Sequence, residues 1–295
     1  MDQPNRQTAT WIGIIALASW AALAFLTTLG RGIPPFEMLA LNAAVAFALG
    51  CLYLARRGRK GFAVLRQPVQ AWLLAAGAIF AYHALYFYAL ASVPPARASL
   101  ICFFWPLLIV VFAALANRRL QAAHLIGALL GLLGVFLIFA DGARGAEPTG
   151  AVSGYFAAAA CAVIWAAYSV ANRRYAGVPS EMLIGVAGLV ALASGLCHFA
   201  FETTVLPDLR QGIAILLLGI FPLGVGFLAW DHATKYGNLP LLGALSYLTP
   251  LVSTLVLIAS GQTTATLGLG LAALAIVAGA AIAARPPARP AALRA

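Results

Sequence analysis

Ten stretches of predominantly apolar residues follow one another along the chain, near 10–29, 36–55, 69–90, 96–115, 123–140, 150–171, 181–200, 211–230, 239–258 and 265–284. A hydrocarbon core of ~30 Å takes about 20 apolar residues of helix to cross, so each stretch predicts one membrane-spanning helix. Helix breakers or basic residues punctuate them: Gly30-Arg31-Gly32-Ile33-Pro34-Pro35, Pro94-Pro95, Asn117-Arg118-Arg119, Asn172-Arg173-Arg174 and Gly237-Asn238. The linkers are too short to hold a soluble domain. Arg6 ahead of the first apolar run resembles the start of a signal peptide. That run is long enough to span, however, and it has a counterpart later in the chain, so it is read as a retained first helix. The predicted fold is an all-α membrane protein of ten transmembrane helices.

Composition agrees with the pattern. Of 295 residues 63% are apolar and 9% charged, against about half and a quarter in an ordinary soluble domain. Disorder, a disulfide scaffold, a coiled coil and most soluble enzymes are thereby excluded. Charge then sets the orientation. With the N-terminus in the cytoplasm, fourteen of the 18 Lys and Arg fall on the inner side, and only Arg31, Arg97, Arg144 and Arg210 fall outside. Such a bias in short loops places both termini in the cytoplasm. The net charge of +10 therefore reflects loop sorting, and no nucleic-acid partner is expected. Residues 285–295 form a Pro/Arg-rich tail suited to an anionic lipid surface. Cys51, Cys102, Cys161 and Cys197 are isolated inside apolar runs, without metal-ligand spacing. No metal or cofactor is expected.

The chain also matches itself. At an offset of 144, Pro35, Glu37, Met38, Leu39, Pro106 and Leu107 meet Pro179, Glu181, Met182, Leu183, Pro250 and Leu251. At 145, Trp20-Ala21-Ala22 meets Trp165-Ala166-Ala167, Gly32 meets Gly177 and Gly134 meets Gly279. Paired Trp, Pro and Glu carry this argument, since matches of Ala or Leu mean little here. Two five-helix halves follow, 1–145 and 146–284. Five is odd, so the second half enters the membrane inverted, an architecture that recurs in transporters.

Interrupted helices at corresponding positions point to the binding site in such folds. Pro106 and Pro250 lie mid-span in the fourth and ninth helices, where each should release a carbonyl four residues earlier, on Cys102 and Ser246. Those carbonyls are expected to face the protein interior and to accept from a ligand or let the helix hinge. Pro222 in the eighth helix aligns with Ala78, which breaks the symmetry there. Mid-span side chains near these prolines are aromatic or weakly polar: Trp20, Tyr82, His83, Tyr86, Trp105, Trp165, Tyr168, Ser246 and Tyr247. Tyr82 and Tyr86 share one helix face, as Trp165 and Tyr168 do. Flat rings with polar handles suit stacking on an aromatic ligand, and they equally suit packing between helices. Trp11, Tyr53, Trp72 and Trp230 lie at span ends and read as an interfacial belt. Glu37 and Glu181 open helices two and seven, where capping explains a carboxylate. Asp231 and His232 read as solvated.

No Lys or Arg lies deep in a span, so an anionic substrate lacks its counter-charge. His83 is the titratable group well inside a span, either hydrogen-bonded within the bundle or active in ligand or proton binding. Gly127 and Gly131 form a GxxxG that lets helices approach closely. There is no HExxH, GxSxG or GxxxxGK[ST] motif, so an enzyme is not expected.

The duplicated unit, the two Trp-Ala-Ala segments and the prolines at 106 and 250 resemble the drug/metabolite transporter superfamily, in its ten-helix EamA-type branch. The run Tyr82-His83-Ala84-Leu85-Tyr86-Phe87-Tyr88-Ala89-Leu90, with Phe104-Trp105-Pro106, is similar to the YddG-type aromatic amino acid exporters of bacterial inner membranes. The resemblance implies export of Phe, Tyr, Trp and related zwitterions from a central cavity by alternating access. Separately, a monomer is the expected working unit. The resemblance assigns Tyr82, His83, Tyr86, Trp105, Trp165 and Ser246 to the cavity and Pro106 and Pro250 to its kinks. The alternative is the same fold exporting other neutral metabolites or hydrophobic drugs.

Overall fold

A computed structural model describes residues 5–117, 121–142, 151–261 and 264–284, and it is all-helical over them. Arg118, Arg119, Arg144 and the 285–295 tail lie outside the described residues. Eight helical stretches are long and apolar enough to cross a membrane. Seven of them are α1 (Arg6–Leu29), α2 (Pro35–Arg56), α3 (Val69–Ser92), α6 (Val152–Tyr175), α7 (Met182–Phe201), α8 (Leu209–Tyr236) and α9 (Leu239–Ala259). The eighth, α4, is built of two pieces, Pro95–Cys102 and Trp105–Asn117. Two further apolar helices are α5 (Ala122–Gly142) and α10 (Leu267–Ala283).

Local chemistry sets several boundaries. Proline at the first or second position opens α2, α4 and α9, where its missing N–H costs nothing. Asp208 and Gln211 close a capping box on α8. Thr266 accepts from the Leu269 N–H at the start of α10.

The helices pair in a pattern that survives exchange of helix n with helix n+5. α5 packs on α10, α2 on α7 and α4 on α9, while α3 on α6 corresponds to α8 on α1. Both self-related outer pairs run antiparallel. Along α2 and α7, Glu37 lies beside His198 and Arg57 beside Glu181. Along α5 and α10, a Cβ at Gly127 would lie 2.5 Å from the Gly279 carbonyl oxygen and 2.8 Å from Ala283, whereas one at Gly134 would meet Ala272 and Ile276. The GxxxG glycine Gly127 thus serves a backbone-to-backbone crossing inside the chain.

The predicted breaks occur in α4 and α9. α4 changes direction at Phe103-Phe104, just before Pro106, and α9 at Ser246-Tyr247, just before Pro250. The breaks touch, since a Cβ at Gly243 would lie 2.8 Å from the Pro106 carbonyl oxygen. One expectation fails here. The Ser246 carbonyl accepts from the Thr249 N–H at 3.1 Å, so a tightened turn of its own helix satisfies it. At the third pair the asymmetry is visible: α3 is regular through Ala78, while α8 widens into a π-helical segment, Gly219–Gly226, around Pro222.

Candidate functional site

Arg57, Arg173 and Lys235 mark one end of the bundle, called here the basic end; α6 and α8 finish there, and α7 and α9 begin. From mid-span toward it, α6 and α8 face each other through successive side chains. Phe227 and Trp230 of α8 meet Trp165 of α6 at 5.6 and 6.3 Å between ring centroids. The Trp230 indole N–H donates to Ser169 Oγ at 3.1 Å. One turn further, Asn172 Nδ2 donates to Asp231 Oδ1 at 2.9 Å and to Thr234 Oγ1 at 3.0 Å. Arg173 donates to the Gly237 carbonyl.

Around Trp165 the structure gathers rings from five helices. Trp20 of α1 lies edge-on to Trp165 and Phe227, each at 5.7 Å, and 5.2 Å from Trp230. Trp105 of α4 stands edge-on to Trp165 and Trp230 at 6.4 and 5.6 Å. Tyr82 of α3 lies 5.6 Å from Trp165 and stacks on Tyr86 at 6.0 Å. Tyr168 lies 5.4 Å from Trp165, and His83 is edge-on to Tyr82 at 5.4 Å. The polar handles are tied to the walls. The Tyr86 hydroxyl bonds Ser99 Oγ at 2.9 Å, and the Tyr82 hydroxyl lies 3.3 Å from Cys102 Sγ. Cys161 Sγ donates to the Tyr82 carbonyl. His83 Nδ1 donates to the Ile79 carbonyl at 2.7 Å, which leaves Nε2 for another partner. The Trp20 indole N–H donates to the Pro222 carbonyl at 3.1 Å, giving the widened part of α8 a donor from α1.

Exposure grades along the axis. Tyr82, His83, Tyr86, Trp20 and Phe227 are partly exposed, while Trp165, Tyr168, Trp105 and Trp230 are buried. The ring cluster is thus sealed on the basic side. A separate cavity of about 380 Å³ lies at the basic end between α4 and α6, lined by residues such as Phe112, Val170 and Arg173, and it includes no member of the ring cluster.

Of the nine side chains proposed from the sequence, seven meet in this cluster. Ser246 is fully buried and donates to the Leu242 carbonyl of its own helix at 2.7 Å. Tyr247 belongs to a different core with Val110, Ala128 and Ile276, its ring filling the space beside Gly131 of α5. Three other expectations are corrected. Trp230, assigned to the interfacial belt, is 1% exposed at the heart of the cluster, whereas Trp11 and Tyr53 are exposed as a belt requires. Asp231, expected in solvent, is buried and paired with Lys235 at 2.7 Å. Glu37 does not cap its own helix: its carboxylate accepts from the Val205 N–H, and Glu202 receives the Phe36 and Glu37 N–H groups instead. Phe227, Ser99, Cys102 and Cys161 also belong to the site. A signal for Phe227 and Trp230 exists in their three-residue spacing, which puts both on one face of α8.

A many-helix apolar bundle with two similarly paired sets of helices and a mid-span cluster of aromatic rings defines a multi-pass membrane protein of the transporter class. The EamA-like transporter family model matches it twice, over residues 7–140 and 152–285, and the chain belongs to that family. It is 44% identical to the aromatic amino acid exporter YddG of Ancylobacter novellus, over 95% of this chain and 98% of that one. It is 27% identical to the aromatic amino acid exporter YddG of Escherichia coli (strain K12), covering 84% of this chain and 87% of the relative. A solved crystal structure superposes with a TM-score of 0.89 at 43% identity, over 95% of this chain and 98% of that one.

Proposed function

We propose that this chain exports aromatic amino acids, Phe, Tyr and Trp, with related small zwitterions, across a bacterial inner membrane by alternating access. The observation that carries the reading is the ring cluster of Trp20, Tyr82, Trp105 and Trp165: flat, apolar and without fixed charge, it suits an aromatic side chain. The names of the relatives point the same way.

The chain crosses the membrane ten times as two inverted halves, 1–145 and 146–284. The antiparallel pairing of α2 with α7 and of α5 with α10 supports this, because helices that correspond between the halves then run in opposite senses. The basic end is cytoplasmic, with both termini there. Among the described residues Arg6, Arg56, Arg57, Arg59, Lys60, Arg66, Arg173, Arg174 and Lys235 lie toward it, against Arg31, Arg97 and Arg210 at the other. On this reading the arrangement seen here is closed to the cytoplasm. Pro106 and Pro250 are the kinks about which α4 and α9 flex, and the π-helical segment at Pro222 gives α8 a third. The unit is a monomer.

The test is flux of labelled phenylalanine and tryptophan in liposomes that contain only the purified protein, with and without a pH gradient. Saturable flux competed by other aromatic amino acids is expected. A response to the gradient would assign proton coupling, with His83 the group to substitute first. Trp105→Ala and Tyr86→Ala each remove ring contacts and should lower phenylalanine transport about tenfold, the equivalent of ~1.4 kcal/mol, with membrane insertion retained. Undiminished flux in both variants would sink the cavity assignment. Flux that ignores Phe and Trp as competitors would shift the substrate to other neutral metabolites or hydrophobic drugs.

A further inference from the structure

The ring cluster can hold an aromatic side chain but offers no charge to the other half of an amino acid. One turn below it lies a charge pair that the cluster does not use. Lys235 is the one Lys or Arg among the described residues that is buried, and it pairs with buried Asp231, four residues earlier on α8. A buried ion pair is weak evidence for stability, because desolvation of both charges offsets their attraction. Its partners across the helix boundary are more telling. Asp231 Oδ1 accepts from Asn172 Nδ2 at 2.9 Å, and Lys235 Nζ donates to the Val178 carbonyl at 2.9 Å. Both partners belong to the end of α6 and the linker that follows, while Asp231 and Lys235 stay together on α8.

Separating α8 from the end of α6 therefore frees one acceptor, on Asp231, and one donor, on Lys235, side by side. An α-amino acid carries the complement of that pair on a single carbon: an ammonium that donates and a carboxylate that accepts. Resting on the amino-acid reading above, we propose that Asp231 and Lys235 form the entry site for the zwitterionic end of the substrate, which replaces Asn172 on Asp231 and Val178 on Lys235 as the basic end opens. The closing contacts and the substrate compete for the same two atoms. Above the pair the route is aromatic. Trp230 adjoins Asp231 and touches Trp20, Trp105 and Trp165. Tyr168 packs on Trp165, and its buried hydroxyl has no hydrogen-bond partner among the described residues. Asn172 is seven residues from Trp165, about 10 Å along a helix, so a substrate held by its charged end already directs its ring at the cluster. The mechanism also selects: an analogue without the ammonium or the carboxylate leaves one buried charge unanswered.

The experiment measures half-saturation for phenylalanine, phenylpropionate (no ammonium) and phenethylamine (no carboxylate) in full-length protein in liposomes. The readouts are competition against labelled phenylalanine and quenching of the protein's tryptophan fluorescence. Wild type should favour phenylalanine over both analogues by about tenfold or more. Asp231→Asn should raise the phenylalanine value about tenfold and erase the preference over phenylpropionate, and Lys235→Met should erase the preference over phenethylamine. Asn172→Ala removes the competitor and should lower the phenylalanine value a few-fold. That opposite sign separates binding from a mere structural lock. If Asp231→Asn and Asn172→Ala move all three ligands together in one direction, the pair is only a lock and the proposal fails. Should a single variant fail to insert, the double variant Asp231→Asn/Lys235→Met leaves no charge unpaired and is expected to take all three ligands alike; a retained preference for phenylalanine would overturn the assignment. No response to phenylalanine in inserted wild-type protein would overturn the amino-acid reading itself, and this one with it.

Discussion

The two ends of the bundle each bury a polar network, and they are built on opposite plans. At the basic end Asp231 and Thr234 of α8 both accept from the Asn172 side chain of α6, and Lys235 reaches the Val178 carbonyl in the linker beyond it. At the far end Glu37, His198 and Glu202 join α2 to α7, and the carboxylates hold backbone. Glu202 takes the Phe36 and Glu37 N–H groups at 2.9 and 3.0 Å, and Glu37 takes that of Val205 at 3.0 Å. His198 ties them together, with Nδ1 3.0 Å from Glu202, Nε2 2.9 Å from Thr204 and 4.0 Å from Glu37. A backbone N–H at a helix start has no other helical partner, so a carboxylate that satisfies it is a permanent clamp. A side-chain amide on a neighbouring helix is a replaceable partner. Buried carboxylates thus hold helix-start backbone at one end and a side-chain amide at the other, which is the difference between a fixed joint and the exchangeable closure proposed above.

The largest effect that this contrast predicts is on stability. Glu202→Ala removes the acceptor of two N–H groups and of His198, and it should cost about 2–4 kcal/mol, read as a fall in the thermal unfolding midpoint in detergent. Asp231→Asn disturbs a pair buried more deeply still, yet opening of the basic end can rehydrate Lys235, so its fall should be the smaller. Equal losses would erase the distinction between clamp and closure. The seam between α5 and α10 comes next. Gly127→Ala drives a methyl to 2.5 Å from the Gly279 carbonyl oxygen and should cost about 1–3 kcal/mol through overpacking. It lies away from both networks, so the half-saturation for phenylalanine should not change. A changed value would extend the moving parts to this seam.

The sequence pattern reaches far into the fold because lipid leaves few options: every span must be an apolar helix. The breaks before Pro106 and Pro250 and the irregularity at Pro222 were legible for the same reason, since proline cannot complete a helical ladder. What escaped was set by partners distant in sequence. Asp231 and Lys235 ended the predicted eighth span near residue 230. At i, i+4 they neutralise each other, however, and α8 continues to Tyr236, which carries Trp230 inward. Glu37 looked like a cap, but the cap is Glu202, 165 residues away. Ser246 and Tyr247 are neighbours at the α9 break, and no local pattern says that Tyr247 fills the hollow at Gly131. Seven of the nine candidates met because they fall at matching depths on helices that pack together, whereas other aromatics in the spans, such as Phe136 and Phe156, stay exposed.

The smallest predicted effect tests whether the middle of the molecule follows the clamp or the closure. Trp20 contributes a ring to the cluster and an N–H to the Pro222 carbonyl at 3.1 Å. The first is a contact that a substrate can share, and the second is a backbone bond like those at the far end. Trp20→Phe keeps an aromatic ring and deletes the donor, at a cost of about 1 kcal/mol. If the bond holds α8 in its widened form throughout the cycle, the loss appears in the unfolding midpoint and the phenylalanine half-saturation stays near that of wild type. If the bond forms only in the arrangement closed at the basic end, the variant instead opens more readily, and the maximal flux rises while the midpoint barely moves. The first outcome groups Pro222 with the fixed joints. The second makes the π-helical segment part of the gate, one turn above the Asp231–Lys235 pair on the same helix.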